Sequence, residues 1–282
     1  MRIAPGGPFD AERKLPPDIE RNVRAAYDLD KPLTAQFTRY LSLVIRGDFG
    51  PSFKNRDFSV SQLIALGAPI SMEIGLTALA LALMIGLSLG ILGALQQNQW
   101  ADFAAMSIAF VGISIPTFVT APALILVFAV MLRWLPAGGW ESGNLQYVIL
   151  PIATLALPQI AVISRLARSS LLEILRTNFV RTARAKGLSS FRLLARHVLR
   201  AGLSPIISYL GPAAAALMTG SLVIERLFGL PGIGRYFVEG AINRDYTIVL
   251  GVVIIYAALV LALNLLADIC YRWLDPRVGL ER

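Results

Sequence analysis

IGLTALALALMIGLSLGILGALQQNQWA, residues 74–101, runs for 28 residues without a charge. A helix needs about 20 residues to cross roughly 30 Å of hydrocarbon, so this stretch is long enough for a membrane span. Four more uncharged runs follow: Phe103–Leu132 with 30 residues, Ser142–Ser164 with 23, Ala201–Ile224 with 24 and Tyr246–Ala267 with 22. Inside lipid every backbone N–H and C=O must be paired within the structure, and a helix does this along its own length. The alternating segments of about ten residues that mark a membrane barrel are absent from the sequence. The reading is an all-α membrane protein, a polytopic helical bundle with five transmembrane helices in this chain.

Composition agrees. The 282 residues are 56% hydrophobic and 16% charged, with mean hydropathy +0.64, whereas soluble domains carry about 25% charged residues. Cys270 is the only cysteine and His197 the only histidine. An internal disulfide is excluded, as is a multi-histidine metal site. The first 68 residues lack the basic start, apolar run and small-residue cleavage site of a secretory signal.

The net charge of +8 is concentrated in one place. Arg165, Arg168, Arg176, Arg181, Arg184, Lys186, Arg192, Arg196 and Arg200 stand against Glu173 alone, so 165–200 carries +8 by itself. Residues 1–68 hold ten basic and eight acidic side chains. Basic residues near span ends face the cytoplasm, which places 165–200 inside. Counting spans outward puts 1–68, 133–145 and 225–245 outside, and 96–102 and the C-terminal tail inside.

Residues 1–68 read as an extracytoplasmic cap. A short polar helix is expected over Asp18–Tyr27, and Leu33, Phe37, Leu41 and Val44 form an apolar stripe on a second helix. Gly47-Asp48-Phe49-Gly50-Pro51 ends that helix. Within the spans, Pro116, Pro122, Pro151, Pro158, Pro205 and Pro212 predict bends, because interior proline removes a helix hydrogen bond. Gly86 and Gly90 form a small-xxx-small pair that admits a close neighbour.

The basic segment is punctuated. Phe179-Val180-Arg181-Thr182-Ala183-Arg184-Ala185-Lys186 ends in cations before Gly187. Cations and then glycine mark a helix C-terminus. Ser189 or Ser190 caps the next helix, whose apolar positions are Phe191, Leu194, Val198 and Leu199. The spacing therefore predicts a rigid helix–Gly–helix rather than a slack connector. The positive-inside rule accounts for the charges but not for this punctuation, which points to a docking partner.

Several chemistries are excluded. No G-x-x-x-x-G-K-[ST] occurs, so the chain has no P-loop, and the glycine-rich Gly229-Leu230-Pro231-Gly232-Ile233-Gly234 lacks its lysine. Glu73, Glu225 and Asp268 sit at span ends rather than at depth, where proton-coupled proteins usually carry ionisable residues. Juxtamembrane charge accounts for the basic loop without nucleic acid. The energy source for active transport would lie on another subunit.

Arg181–Arg200 resembles the EAA loop of permease subunits in bacterial ABC importers. Ala183, Gly187 and Leu199 match the general form of that loop. Arg181 and Thr182 occupy its first two places, and His197 and Arg200 stand where isoleucine and proline would be. RTARAKGL followed by RHVLR and Pro205 is similar to the peptide-importer branch. So are Gly47-Asp48-Phe49-Gly50, the GLPGIG loop, Asn243-Arg244-Asp245-Tyr246 and Leu274-Asp275-Pro276. Leu135-Pro136-Ala137-Gly138-Gly139-Trp140 leans toward oligopeptides over dipeptides.

The resemblance covers essentially the whole chain and is to the B-type permeases of oligopeptide and dipeptide importers. It implies a multi-pass protein of the bacterial inner membrane that is not an enzyme and needs no cofactor. Its implied partners are a second related permease, two ATP-hydrolysing subunits, a periplasmic peptide-binding protein and the peptide itself. The implied division is a cap at 1–60, a transport domain at 61–268 and a tail at 269–282. ATPase coupling would fall to Arg181, Thr182, Ala183, Gly187, Leu188, Arg192, His197 and Leu199. The competing reading is a stand-alone secondary transporter or channel.

Family members begin with a membrane helix ahead of the segment that MRIAPG resembles, giving six spans. Residues 1–68 carry 18 charges, and moving charge through a bilayer unaided is costly. Two accounts follow. Either the chain starts at Met1 and 1–68 crosses with the first hairpin, or an in-frame upstream stretch of about 20 apolar residues led by basic ones precedes it. The second is the expectation.

Overall fold

The computed structural model describes residue 21 and residues 31–52 and 58–274. The helix expected over Asp18–Tyr27, apart from Arg21, and residues 275–282 of the tail lie outside that description. Helices dominate the described residues: α1 Leu33–Ile45, α2 Val60–Leu95, α3 Trp100–Ser114, α4 Thr117–Leu124, α5 Gln146–Leu175, α6 Asn178–Ala185, α7 Ser190–Leu193, α8 Leu199–Gly202, α9 Ser204–Phe228, α10 Ile233–Ile242 and α11 Tyr246–Leu274. Two π-helical stretches, Ile125–Met131 and Leu194–Val198, continue α4 and join α7 to α8.

Three of the five expected spans are single long helices: Val60–Leu95, Gln146–Leu175 and Tyr246–Cys270 within α11. The other two are broken. Trp100–Ser114 and Thr117–Met131 meet at 104°, and Phe191–Gly202 and Ser204–Met218 at 52°. The first break has a local cause. Pro116 disfavours helix at the residue before it, and Ile115 is extended at φ −107° and ψ 121°. At the second, Pro205 removes the N–H that Ala201 would otherwise receive. Pro122, Pro151, Pro158 and Pro212 stay inside assigned helices. The helices also outrun the uncharged stretches: α2 starts ahead of Glu73, and α5 carries Arg165, Arg168 and Glu173 on to Leu175.

Packing divides the chain into two compact units, residues 1–73 with 221–258 and residues 74–220 with 259–282. In the first unit, α1 closes with a Schellman turn, Asp48 N–H to Leu43 O at 3.0 Å and Gly47 N–H to Val44 O at 2.9 Å. The predicted stripe on α1 is uncovered, with Leu33, Phe37 and Leu41 at 63%, 65% and 45% exposure. Two buried carboxylates organise the rest of this unit. Asp245 accepts bonds from Ser52 Oγ, Thr247 Oγ1 at 2.8 Å and Ile248 N–H at 3.3 Å. It thereby caps α11 and ties the 47–52 segment to it. Glu225 is fully buried and receives the Gly234 N–H at 2.7 Å, with Ser71, Ser221 and the Arg235 N–H around it. An anion at a helix N-terminus is stabilised by the free N–H groups there, here those of α10. A Cβ on Gly232 would collide with this carboxylate, which explains a glycine that nucleotide chemistry did not.

In the second unit, helices approach through small residues, since lipid supplies no hydrophobic drive between them. Asp102, Ala105, Ala109 and Gly112 form the buried face of α3. A Cβ on Gly112 would overlap the Leu157 carbonyl of α5, and one on Gly86 would lie 2.9 Å from Ile163 Cβ. One on Gly90 would overlap the Ala167 methyl and come within 2.7 Å of the Ser164 carbonyl. The small-xxx-small expectation is met.

Gly90→Ala gains about 0.5–1 kcal/mol of helix propensity but costs about 1–3 kcal/mol by overpacking, so a lower melting temperature in detergent is expected. Adding Ala167→Gly should recover part of the loss; an unchanged melting temperature for Gly90→Ala would contradict this packing. Glu225→Ala leaves the N–H groups of α10 unpaired at about 1–3 kcal/mol. Its melting temperature should fall further than that of Glu225→Gln, and equal values for the two would contradict the carboxylate's role.

Candidate functional site

The segment from Asn178 to Gly202 lies entirely within the second unit. An isolated eight-residue helix is marginal in water, so α6 depends on what it buries. Val180 is fully buried, and with Leu193, Val198, Leu171 and Ala94 it forms one cluster. Each buried aliphatic is worth about 2 kcal/mol, enough for three of them to hold the segment. Ser170 Oγ donates to the Gly202 carbonyl at 2.9 Å, and Arg176 Nη2 to Gln97 Oε1 at 3.4 Å.

The turn after α6 is the one that the sequence predicts. Gly187 stands at φ +79°, with its N–H on Arg184 O at 2.9 Å and the Leu188 N–H on Ala183 O at 3.3 Å. This is a Schellman motif. A Cβ at Gly187 would meet nothing within 4 Å, so backbone conformation alone demands glycine. The Leu193 N–H bonds the Ser189 carbonyl at 2.9 Å, which places Ser189 at the start of the next helix.

The expected residues divide between two sides. Arg181, Thr182 and Arg192 are exposed, as are Arg184, Lys186, Arg196 and Arg200. Ala183 and Leu199 pack against the segment's own core, and Leu188 and His197 are half-buried. The apolar face read at Phe191 is corrected: Phe191 is 79% exposed and Leu193 is buried in its place. The π turn at Leu194–Val198 is the cause, because its extra residue shifts the face upstream by about one position. Phe179 is also exposed, at 46%. The outer side therefore carries cations with two aromatic rings among them.

One arrangement went unread in the sequence. Arg168 of α5 grips Asp102 of α3 with two bonds of 2.6 Å, Nε to Oδ1 and Nη2 to Oδ2. Asp102 is buried and also takes the Asn98 N–H at 3.0 Å. The one available signal was that Asp102 alone separates two uncharged runs. Among the described residues no group of three His, Cys, Asp or Glu side chains is placed to hold a metal.

Residues 82–280 match the model of the family described as binding-protein-dependent transport system inner membrane component. The oligopeptide transport system permease protein OppB of Haemophilus influenzae is 48% identical over 278 residues, covering 99% of this chain and 91% of that protein. The dipeptide transport system permease protein DppB of Bacillus subtilis is 44% identical over 282 residues, covering 100% of this chain and 91% of that protein. Among solved structures, a chain of the MetNI methionine ABC transporter in inward-facing conformations is similar in fold. Its TM-score is 0.62 at 20% identity, covering 76% of this chain and 96% of that one.

Gly187→Val imposes a left-handed backbone on a β-branched residue, at a cost of about 1–2 kcal/mol. Faster cleavage between Thr182 and Ser190 is expected in limited proteolysis, with Gly187→Asn close to the unmodified chain because asparagine tolerates that conformation. Equal cleavage of all three would contradict the turn.

Proposed function

The chain belongs to the inner-membrane components of binding-protein-dependent transport systems, in the B-type permease branch of peptide ABC importers, and on that premise we propose that it forms half of an ATP-driven pathway for oligopeptides or dipeptides. A second related permease completes the pathway, two ATP-hydrolysing subunits drive it, and a periplasmic binding protein delivers the peptide. The transport domain is 61–268, between a cap at 1–60 and a tail at 269–282. The chain performs no catalysis and takes no cofactor of its own.

The observation that carries this reading is the rigid helix–Gly–helix at 178–202, seated on its own core by Val180, Leu193 and Val198 with a cationic outer side. That side docks on the ATPase at the cytoplasmic face. Arg181, Thr182 and Arg192 meet acidic groups of the partner, and the exposed Phe179 and Phe191 fill apolar pockets beside them. Gly187 fixes the angle between the two helices. Ala183, Leu188, His197 and Leu199 keep the segment attached to the permease, so that closure of the ATPases becomes a rigid-body movement of the spans.

The relatives named for oligopeptide and dipeptide transport support peptide as cargo, and the family supports ATP over an ion gradient. The test is uptake of labelled di- to pentapeptides into proteoliposomes holding the chain with its cognate subunits and binding protein. Uptake is expected to require ATP and to persist when a protonophore collapses the proton gradient. Uptake without the ATPases, driven by a proton gradient alone, would establish the secondary-transporter reading instead.

A further inference from the structure

Four residues between Ala167 and Leu171 of α5 reach α2, α3 and the 178–202 segment. Ala167 lies against Gly90 of α2, where a Cβ would overlap its methyl. Arg168 holds Asp102 of α3 by two bonds of 2.6 Å. Ser170 Oγ donates to the Gly202 carbonyl at 2.9 Å, and Leu171, 1% exposed, sits in the cluster of Val180, Leu193 and Val198. One face of this stretch thus touches both the 178–202 segment and the corner between α2 and α3, and Ala94 of α2 lies in the same cluster as Leu171.

The contacts at the corner differ in kind from the rest. Apolar packing resists separation but yields to sliding. A guanidinium gripping both oxygens of a carboxylate fixes direction as well as distance. Asp102 has little freedom of its own, since its side chain is 3% exposed. It also holds the corner itself through the Asn98 N–H, where Asn98 stands at φ +62°. Opening the pair would leave a buried charge uncompensated, which is strongly unfavourable. The link therefore stays closed while the elements around it move.

We infer that Asp102 and Arg168 are positioning residues for transport, joining the 178–202 segment to the α2–α3 corner through one turn of α5, so that the corner and the segment move as one body when the ATPases close. This inference rests on the proposed docking of 178–202 on an ATPase. It adds a route by which the movement reaches α3, beside the direct packing of Ala94 of α2 in the segment's cluster, and it predicts that loss of the pair uncouples hydrolysis from uptake rather than lowering both.

The test uses the complete importer in proteoliposomes, with Cys270 replaced by serine and ATPase rate and peptide uptake measured side by side. Cross-linking from Ala185→Cys to the ATPase first checks the docking in the otherwise unmodified importer; without that cross-link the docking reading itself fails. Asp102→Asn and Arg168→Lys should each retain the cross-link and the ATPase rate, and carry about tenfold less peptide per ATP, the scale of ordinary coupling between sites. Retained cross-linking with an unchanged ratio of peptide to ATP, or with both rates falling in proportion, overturns the inference and leaves the docking intact. If neither variant assembles, spin labels at Gln99 and Ala185 in the otherwise unmodified importer decide the matter. Their separation should be the same with and without trapped ATP, and a separation that changes with nucleotide overturns the inference.

Discussion

Hydrocarbon offers a peptide group nothing to bond to, and the rest of this structure depends on that. The chain answers with long helices whose backbone groups satisfy one another. The solution is complete only along the middle of each rod, because the first N–H groups of a helix have no partner within it. Acidic side chains gather at such ends. Asp245 caps the start of α11, and Glu225 takes the Gly234 N–H at the start of α10. Asp102 lies in the first turn of α3 and accepts the N–H of Asn98, just ahead of that helix. These carboxylates sit at the ends of the uncharged stretches, Asp102 alone parting two of them, and the little charge placed there fixes how the helices connect.

Close approach is the second consequence. Between helices in lipid, attraction comes from contact area rather than from expelled water, so removing a side chain does more than adding one. Gly86, Gly90 and Gly112 bring α2 and α3 against α5 at distances that a Cβ would not permit. Packing of this kind is unforgiving of volume, and it admits a polar group only where that group is paired. Asp102 can therefore share a face with Ala105 and Ala109, because the Arg168 guanidinium bonds both of its oxygens.

The uncharged runs, the basic segment, the pair Gly86 and Gly90, and the turn at Gly187 were all legible in the sequence. Each is a local signal: a length, a charge sum, a spacing, a backbone preference. What stayed hidden depends on geometry that composition does not encode. Pro116 and Pro158 look alike as letters, yet Pro116 stands at a 104° bend while Pro158 lies inside α5. Phe191 falls on an apolar period and is nevertheless exposed, because a π turn moves the buried face to Leu193. Arg168 was one cation among nine in the sequence, and its partner lies 66 positions away.

That π turn also sets a rule about chain length. Leu194–Val198 holds one residue more than an α-helix would use. Deleting a single residue there would let an ordinary helix close, placing Leu193 and Val198 four positions apart, which in an α-helix is still one face. Both side chains would stay in the cluster, so the π turn absorbs an added residue without turning the buried face away from it. A one-residue difference in length is therefore absorbed at Leu194–Val198, where the helix can gain or lose the turn, while the same change inside α5 would swing every later side chain by about 100°.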